Sequence, residues 1–207
     1  MEPGRANFRV YQGSVFDQIF RWETATKTYA NIININRSAP CVIQVAVGSE
    51  VPPASWRVRI NNVLGMKEIN NLGDDTYYIS TNSFGNTVII NEIDSTNYTA
   101  YTPVTSTAPF NGVLSWNYPR DLSVYTGARL QIRKTTTSST VELELTSTAG
   151  EIILDNTEKT IRVKMSSDQT ANLNFLNAVY SLELTDVDDN NLIFVIGNLS
   201  LTKEVVR

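Results

Sequence analysis

FRVYQGSVFDQIFRWET (residues 8–24) opens like the first strands of a β-sandwich, but its natural continuation, DLSVYTGARLQIRK (121–134), arrives only after a long interruption. The interrupting stretch has turns and strand signals of its own. The economical reading is a domain inserted into a domain. Residues 1–27 and 118–207 then form a β-sandwich, and residues 28–117 form a second module. The expected fold is all-β: a discontinuous immunoglobulin-like β-sandwich with an inserted small β-barrel.

Alternation is the dominant periodicity after the gap. In RLQIR (129–133), VELEL (141–145), IRVKM (161–165) and YSLEL (180–184) apolar and polar residues exchange at every step, which places one face of each strand in a core and the other in water. Turn-forming clusters separate them: TTTSS (135–139), TAG (148–150), DNTEK (155–159) and DVDDNN (186–191). Strands at roughly 8–12-residue spacing suit a sandwich or barrel. The exception is SSDQTANLNF (166–175), where Ser167 is expected to cap a short helix that Leu173 and Phe175 close against the sandwich.

The inserted region reads as NIININ, CVIQVAV and WRVRINNV with the turn-rich GSEVPPAS between the last two, then a loop around Gly65 and Met66, a strand in TYYIS, a turn at Gly85 and a strand in TVII. Tyr98, Tyr101, Val113 and Leu114 complete the set. A closed barrel is expected, because an open sheet of that size leaves unprotected edges.

Composition narrows the function. The chain has 207 residues, a net charge of −4 and no histidine. Without histidine there is no Ser-His-Asp or Cys-His arrangement and no histidine-ligated zinc, so the expectation is a protein that is not an enzyme and uses no cofactor. No glycine-rich phosphate loop occurs. Lysine and arginine form no run longer than a pair, so no nucleic-acid partner is expected. No apolar stretch approaches the roughly 20 residues of a membrane helix, and no secretion signal opens the chain, so neither a membrane partner nor export is expected. The single cysteine, Cys41, flanked by Pro40, Val42 and Ile43, reads as a small buried hydrophobe. Asp186, Asp188 and Asp189 form the densest acidic cluster, but the segment lacks the glycine and the bidentate glutamate of a helix-loop-helix calcium site. A solvated hairpin turn is the simpler reading, and the same holds for Asp74–Asp75 after Gly73.

Two resemblances cover most of the chain. YQGSVFDQIFRWET, DLSVYTGARLQIRK, AGEIIL, IRVKMS, SSDQTANL, YSLELTD and the final LSLTKEVVR together resemble the tailed-phage baseplate upper protein amino-terminal domain family. NVLGMKEINNL, TYYIS, TVIINEIDSTNYTAYT and GVLSW are similar to the small barrel known as the first catalytic cysteine half-domain of ubiquitin-activating enzymes. The second departs from its relatives in VAVGSEVPPASWRVRI, which has no His-Gly turn. That barrel is carried as a scaffold, so the likeness implies no ubiquitin chemistry. Together they imply a structural protein of a tailed bacteriophage virion, made in the host cytoplasm and placed in the tail or baseplate. Its partners would be other phage structural proteins in a homo-oligomeric or symmetric assembly. Capsid decoration is the alternative role, and a host-surface carbohydrate-binding module the alternative class.

Aromatic residues are the remaining candidates for a site. Trp22 shares a face with Phe20 and is expected in the core. Tyr78, Tyr98, Tyr101 and Trp116 are the candidate interaction surface on the insert, for a protein or a host glycan; Tyr77 and Tyr78 face opposite ways, so only one can join it. The terminal segments MEPGRANF and LTKEVVR are candidate docking strands.

Overall fold

A computed structural model describes residues 2–71, 76–80 and 83–203; the Asp74–Asp75 turn lies outside them. In chain order the strands are β1 (Gly4–Arg5), β2 (Phe8–Tyr11), β3 (Phe16–Phe20), β4 (Glu23–Asn36), β5 (Cys41–Val45), β6 (Arg57–Asn61), β7 (Tyr77–Tyr78), β8 (Thr87–Ile90), β9 (Val113–Pro119), β10 (Tyr125–Arg133), β11 (Leu143–Thr146), β12 (Ile152–Asp155) and β13 (Thr160–Met165). A short helix α1 (Ser167–Ala171) precedes β14 (Asn177–Asp186) and β15 (Asn191–Thr202). The chain is all-β and divides into two compact units, Met1–Trp22 with Asp121–Arg207, and Glu23–Arg120.

The discontinuous unit is a sandwich. One sheet runs β1-β15-β14-β10-β11, with β2 also on β15, and the other runs β12-β13-β3. The alternating runs do what their period requires. Leu130 and Ile132 of β10, Leu145 of β11, Ile161, Val163 and Met165 of β13, and Tyr180, Leu182 and Leu184 of β14 all enter one core, with Phe16, Phe20, Trp22 and Phe194 packed at its side. LIFVIG does not alternate, and a bulge resolves it: the register slips between Leu182 and Glu183, so that β15 spends an extra residue near Phe194. Phe194 thereby reaches Phe20 at 6.0 Å and Trp22 at 5.2 Å while Val195 stays buried.

Helix α1 starts one residue earlier than its sequence suggests. Ser166 is the cap, not Ser167: its hydroxyl accepts the Gln169 N–H while the Gln169 side chain accepts the Ser166 N–H, a capping box. Ser167 and Ser166 are equally good caps by type, and only Ser166 has a glutamine three residues on. Leu173 and Phe175 are buried as expected.

The terminal segment MEPGRANF is not a free docking strand. β1 and β2 both lie parallel to β15, Gly4–Arg5 against Val195–Ile196 and Phe8–Tyr11 against Leu199–Thr202, so this segment covers an edge of its own sheet. Of LTKEVVR, Leu201 and Thr202 end β15 and the last four residues lie outside the described ones.

The continuous unit is a six-stranded sheet in the order β7-β6-β9-β4-β5-β8. An antiparallel bridge between Ile79 and Ile90, with the Ser80 N–H donating to the Ile89 carbonyl at 2.8 Å, brings its two ends together into a nearly closed barrel. Ile32, Ile43, Ile60, Ile90, Leu114 and Trp56 fill it, and Cys41 is buried among them. Of the phrase NVLGMKEINNL, residues 62–71 are described, and Val63, Met66 and Ile69 pack into the same core. Met66 and Ile69 are fully buried, Asn70 exchanges hydrogen bonds with both the N–H and the carbonyl of Val63, and the Asn71 side chain accepts the Ile60 N–H at 2.6 Å. Buried Asn111 ties this loop to the next, accepting from Leu64 N–H and donating to the Leu64 and Thr102 carbonyls. Each amide thus satisfies backbone groups that a buried loop would otherwise leave unpaired. Gly65, at φ +84°, has no room for a Cβ, which would sit 2.4 Å from the Ala100 carbonyl oxygen.

The unit boundaries fall at Glu23 and Arg120, a few residues outside the junctions expected at 27 and 118. The polar run ETATKT gives no burial signal, yet it belongs to β4: Lys27 pairs with Asn117 and Glu23 with Pro119, and the Asn117 amide donates to the Thr24 carbonyl at 3.0 Å across the irregular step. The pairing also brings the ends of the inserted unit side by side. Joining Trp22 to Asp121 through a short Gly/Ser linker is therefore expected to leave a strand-rich sandwich that unfolds cooperatively on heating. A non-cooperative melt from that shortened chain would show that the sandwich cannot fold alone.

Candidate functional site

The four aromatics proposed as one surface do not form one. Trp116 is 2% exposed and Tyr101 8%; both belong to the barrel core, because β9 turns Trp116 inward and the Tyr101 hydroxyl donates to the Asn111 carbonyl at 2.9 Å. Tyr98 is half-buried against the same core, and only Tyr78 stands out, at 39% exposed. Tyr77 turns inward, as the alternation requires. A stacking platform built from these four residues is thus excluded by their burial.

Burial pushes the Tyr101 phenol up to about 12. An unfolded tyrosine titrates near 10, so the folded barrel holds this proton more tightly than the unfolded chain does. The resulting stabilisation is complete below pH 10 and is lost as pH rises toward 12, on the order of 2–3 kcal/mol. Tyr101→Phe is expected to flatten the stability profile between pH 10 and 12, measured by denaturant titration at each pH. An unchanged slope would remove Tyr101 as its source.

The DVDDNN segment is a turn. One Asp186 carboxylate oxygen accepts the N–H groups of Asp188 and Asn190, both at 2.9 Å, and these bonds hold its pKa below the usual carboxylate value. Asp189 sits at φ +60°, the left-handed position that aspartate tolerates. Among the described residues no three Cys, Asp or Glu side chains gather into a metal-holding group.

The most developed concavity lies on the outer face of the six-stranded sheet of the sandwich, a groove of about 540 Å³, within the range of roughly 300–1,000 Å³ typical of ligand sites. Strand register builds it. One rung across the sheet is Arg5–Ile196–Ser181–Gln131, the next is Asn198–Val179–Arg133, and Glu183 pairs with Arg129 beside them. Ser181 is the small residue in the middle of the central rung, so the surface dips there. Its hydroxyl oxygen is shut off from solvent and has no hydrogen-bond partner among the described residues.

The charge on this face is unbalanced. Three arginines line the groove against one carboxylate, Glu183. Glu183 is bound to Arg129 at 2.9 Å and raises its pKa. Arg133 donates to the carbonyls of Ser138 and Ser139 and to the Gln131 side chain, all neutral acceptors, and makes no ion pair among the described residues. Arg5 makes no ion pair among the described residues. Gln131 in turn donates to Glu144 at the rim, at 2.5 Å. The result is a positive groove on an acidic chain, lined by guanidinium forks suited to carboxylates.

The alternation of β10 and β14 marks these positions as solvent-facing but does not distinguish a groove from any other wet face. The signal that marks the site is the pairing of strands far apart in sequence, above all Arg5 with the β14–β15 ribbon. A scan against protein-family models finds no match, and a search of curated proteins finds no similar sequence.

Proposed function

We propose that this chain is a non-enzymatic structural protein of a tailed-bacteriophage particle, in the tail or baseplate, that works through protein–protein assembly. The observation that carries the assembly reading is the arginine-lined groove on the sandwich. It is an open, polar, charge-unbalanced face on a well-packed β-scaffold, which suits recognition of a charged partner surface. The phage assignment draws its support from the phrases that resemble the baseplate family, and the all-β, two-unit architecture fits a protein of that kind. Repetition by symmetry would let individually weak contacts of this sort hold firmly. The test is mass spectrometry of purified particles followed by electron microscopy. Stoichiometric presence and a tail or baseplate position are expected; a chain missing from mature particles sinks the proposal, and a position on the head lattice sinks the tail assignment.

A further inference from the structure

The acidic turn between β14 and β15 complements the arginine groove, and we infer that the two meet between copies of this chain, the turn of one copy entering the groove of the next. This inference rests on the assembly reading above and names the partner: a second copy. The turn offers Asp188 and Asp189, both exposed, next to Val187, which is 64% exposed although apolar. Asp186 is already committed to the backbone of the turn and holds its shape. The groove offers the complementary set, Arg5 and Arg133, which make no ion pair among the described residues, beside the aliphatic Ile196 and Val179, with the Ser181 hydroxyl, unpartnered among the described residues, in its floor. Two exposed carboxylates beside an isopropyl group complement two guanidinium groups beside an aliphatic floor.

Topology makes the contact run between molecules. Turn and groove belong to one ribbon, the groove lying across residues 179–183 of β14 and the turn following at Asp186–Asn190. A continuous ladder cannot fold its own tip back onto its face. A surface that meets a different surface on its neighbour is heterologous and generates a ring or an open filament.

Sedimentation velocity across a concentration series at low ionic strength tests this. Wild-type chain is expected to self-associate, and Asp188→Arg with Asp189→Arg, or Arg5→Glu alone, each to weaken association by about tenfold or more. Arg5 is an exposed position of β1, so the second variant is expected to keep the wild-type circular dichroism spectrum and melt. Mixing the two variants is the decisive arm, since the unchanged turn of the Arg5→Glu chain still fits the unchanged groove of the other variant and association should return. A monomer at all concentrations, association indifferent to both variants, or a mixture that stays dissociated overturns the inference. So does an acidic oligosaccharide that perturbs the groove's backbone resonances while the chain remains monomeric. Particle composition is measured independently, so failure here leaves the proposed virion role standing or falling on its own test.

Discussion

Gly197→Val is expected to lift the amino-terminal segment off β15 and to destabilise the sandwich by about 2–4 kcal/mol. The reason is a close approach of backbones. A Cβ at position 197 would lie 1.6 Å from the Ala6 carbonyl oxygen and 3.0 Å from Cε1 of Tyr180. The first is a backbone atom fixed by its neighbours, since the Ala6 N–H donates to the Ile196 carbonyl at 3.1 Å and Arg5 is in register with Ile196. The Ala6 carbonyl is also the acceptor for the Tyr180 hydroxyl, at 2.9 Å, and Tyr180 is 4% exposed with its pKa raised by burial. Forcing Ala6 outward therefore adds a clash to the loss of a buried hydrogen bond. The phenol is left without its partner in a place water does not reach. Hydrogen exchange should show the amides of Ala6 and Gln12, which donate to the Ile196 and Thr202 carbonyls, losing protection, and chemical denaturation should report the lowered stability. An unchanged midpoint with those amides still protected would contradict the account.

That contact also marks where the sequence stopped being informative. Strands whose two faces differ in solvation announced themselves: β10, β13 and β14 each bury every second side chain, and the pattern of two survives in the sequence. The first half of β4 is largely wet on both faces, so ETATKT carries no alternation, and only its pairing with β9 makes it a strand. Tyr98 and Tyr101 lie in a loop without periodicity, and nothing local says which way a loop side chain turns; Tyr101 went inward because the Asn111 carbonyl gave its hydroxyl a partner. Trp116 sits in a strand, but the choice of its face depended on how β9 registers with β4 and β6. The groove was hidden for a related reason. Its residues come from β1, β10, β14 and β15, and a rung such as Arg5–Ile196–Ser181–Gln131 exists only once three separate pairings have been fixed. Local period yields elements, whereas a site is a property of register between elements that local sequence does not encode.

Trp56→Ala is expected to have the largest effect of any single truncation in the barrel, about 3–5 kcal/mol. Trp56 is the largest fully buried side chain, and its indole N–H donates to the Asn117 carbonyl at 2.6 Å. It sits just before β6, where the Trp56 carbonyl accepts the Ile79 N–H in the same stretch that carries the closing bridge to Ile90. Truncation therefore does three things together. It opens a cavity that the isoleucines around it cannot fill without leaving their rotamers, strips the Asn117 carbonyl of a donor, and loosens the segment through which the sheet closes. Trp56→Phe keeps most of the volume and loses mainly the hydrogen bond, so it should cost distinctly less, about 1–2 kcal/mol. Methyl resonances report the site of damage: those of Ile60 and Leu114, which share the core with Trp56, should melt early in the alanine variant, ahead of those of Ile161 and Leu182 in the sandwich core. Equal losses from alanine and phenylalanine would mean that the hydrogen bond, rather than the packed ring, holds the barrel closed.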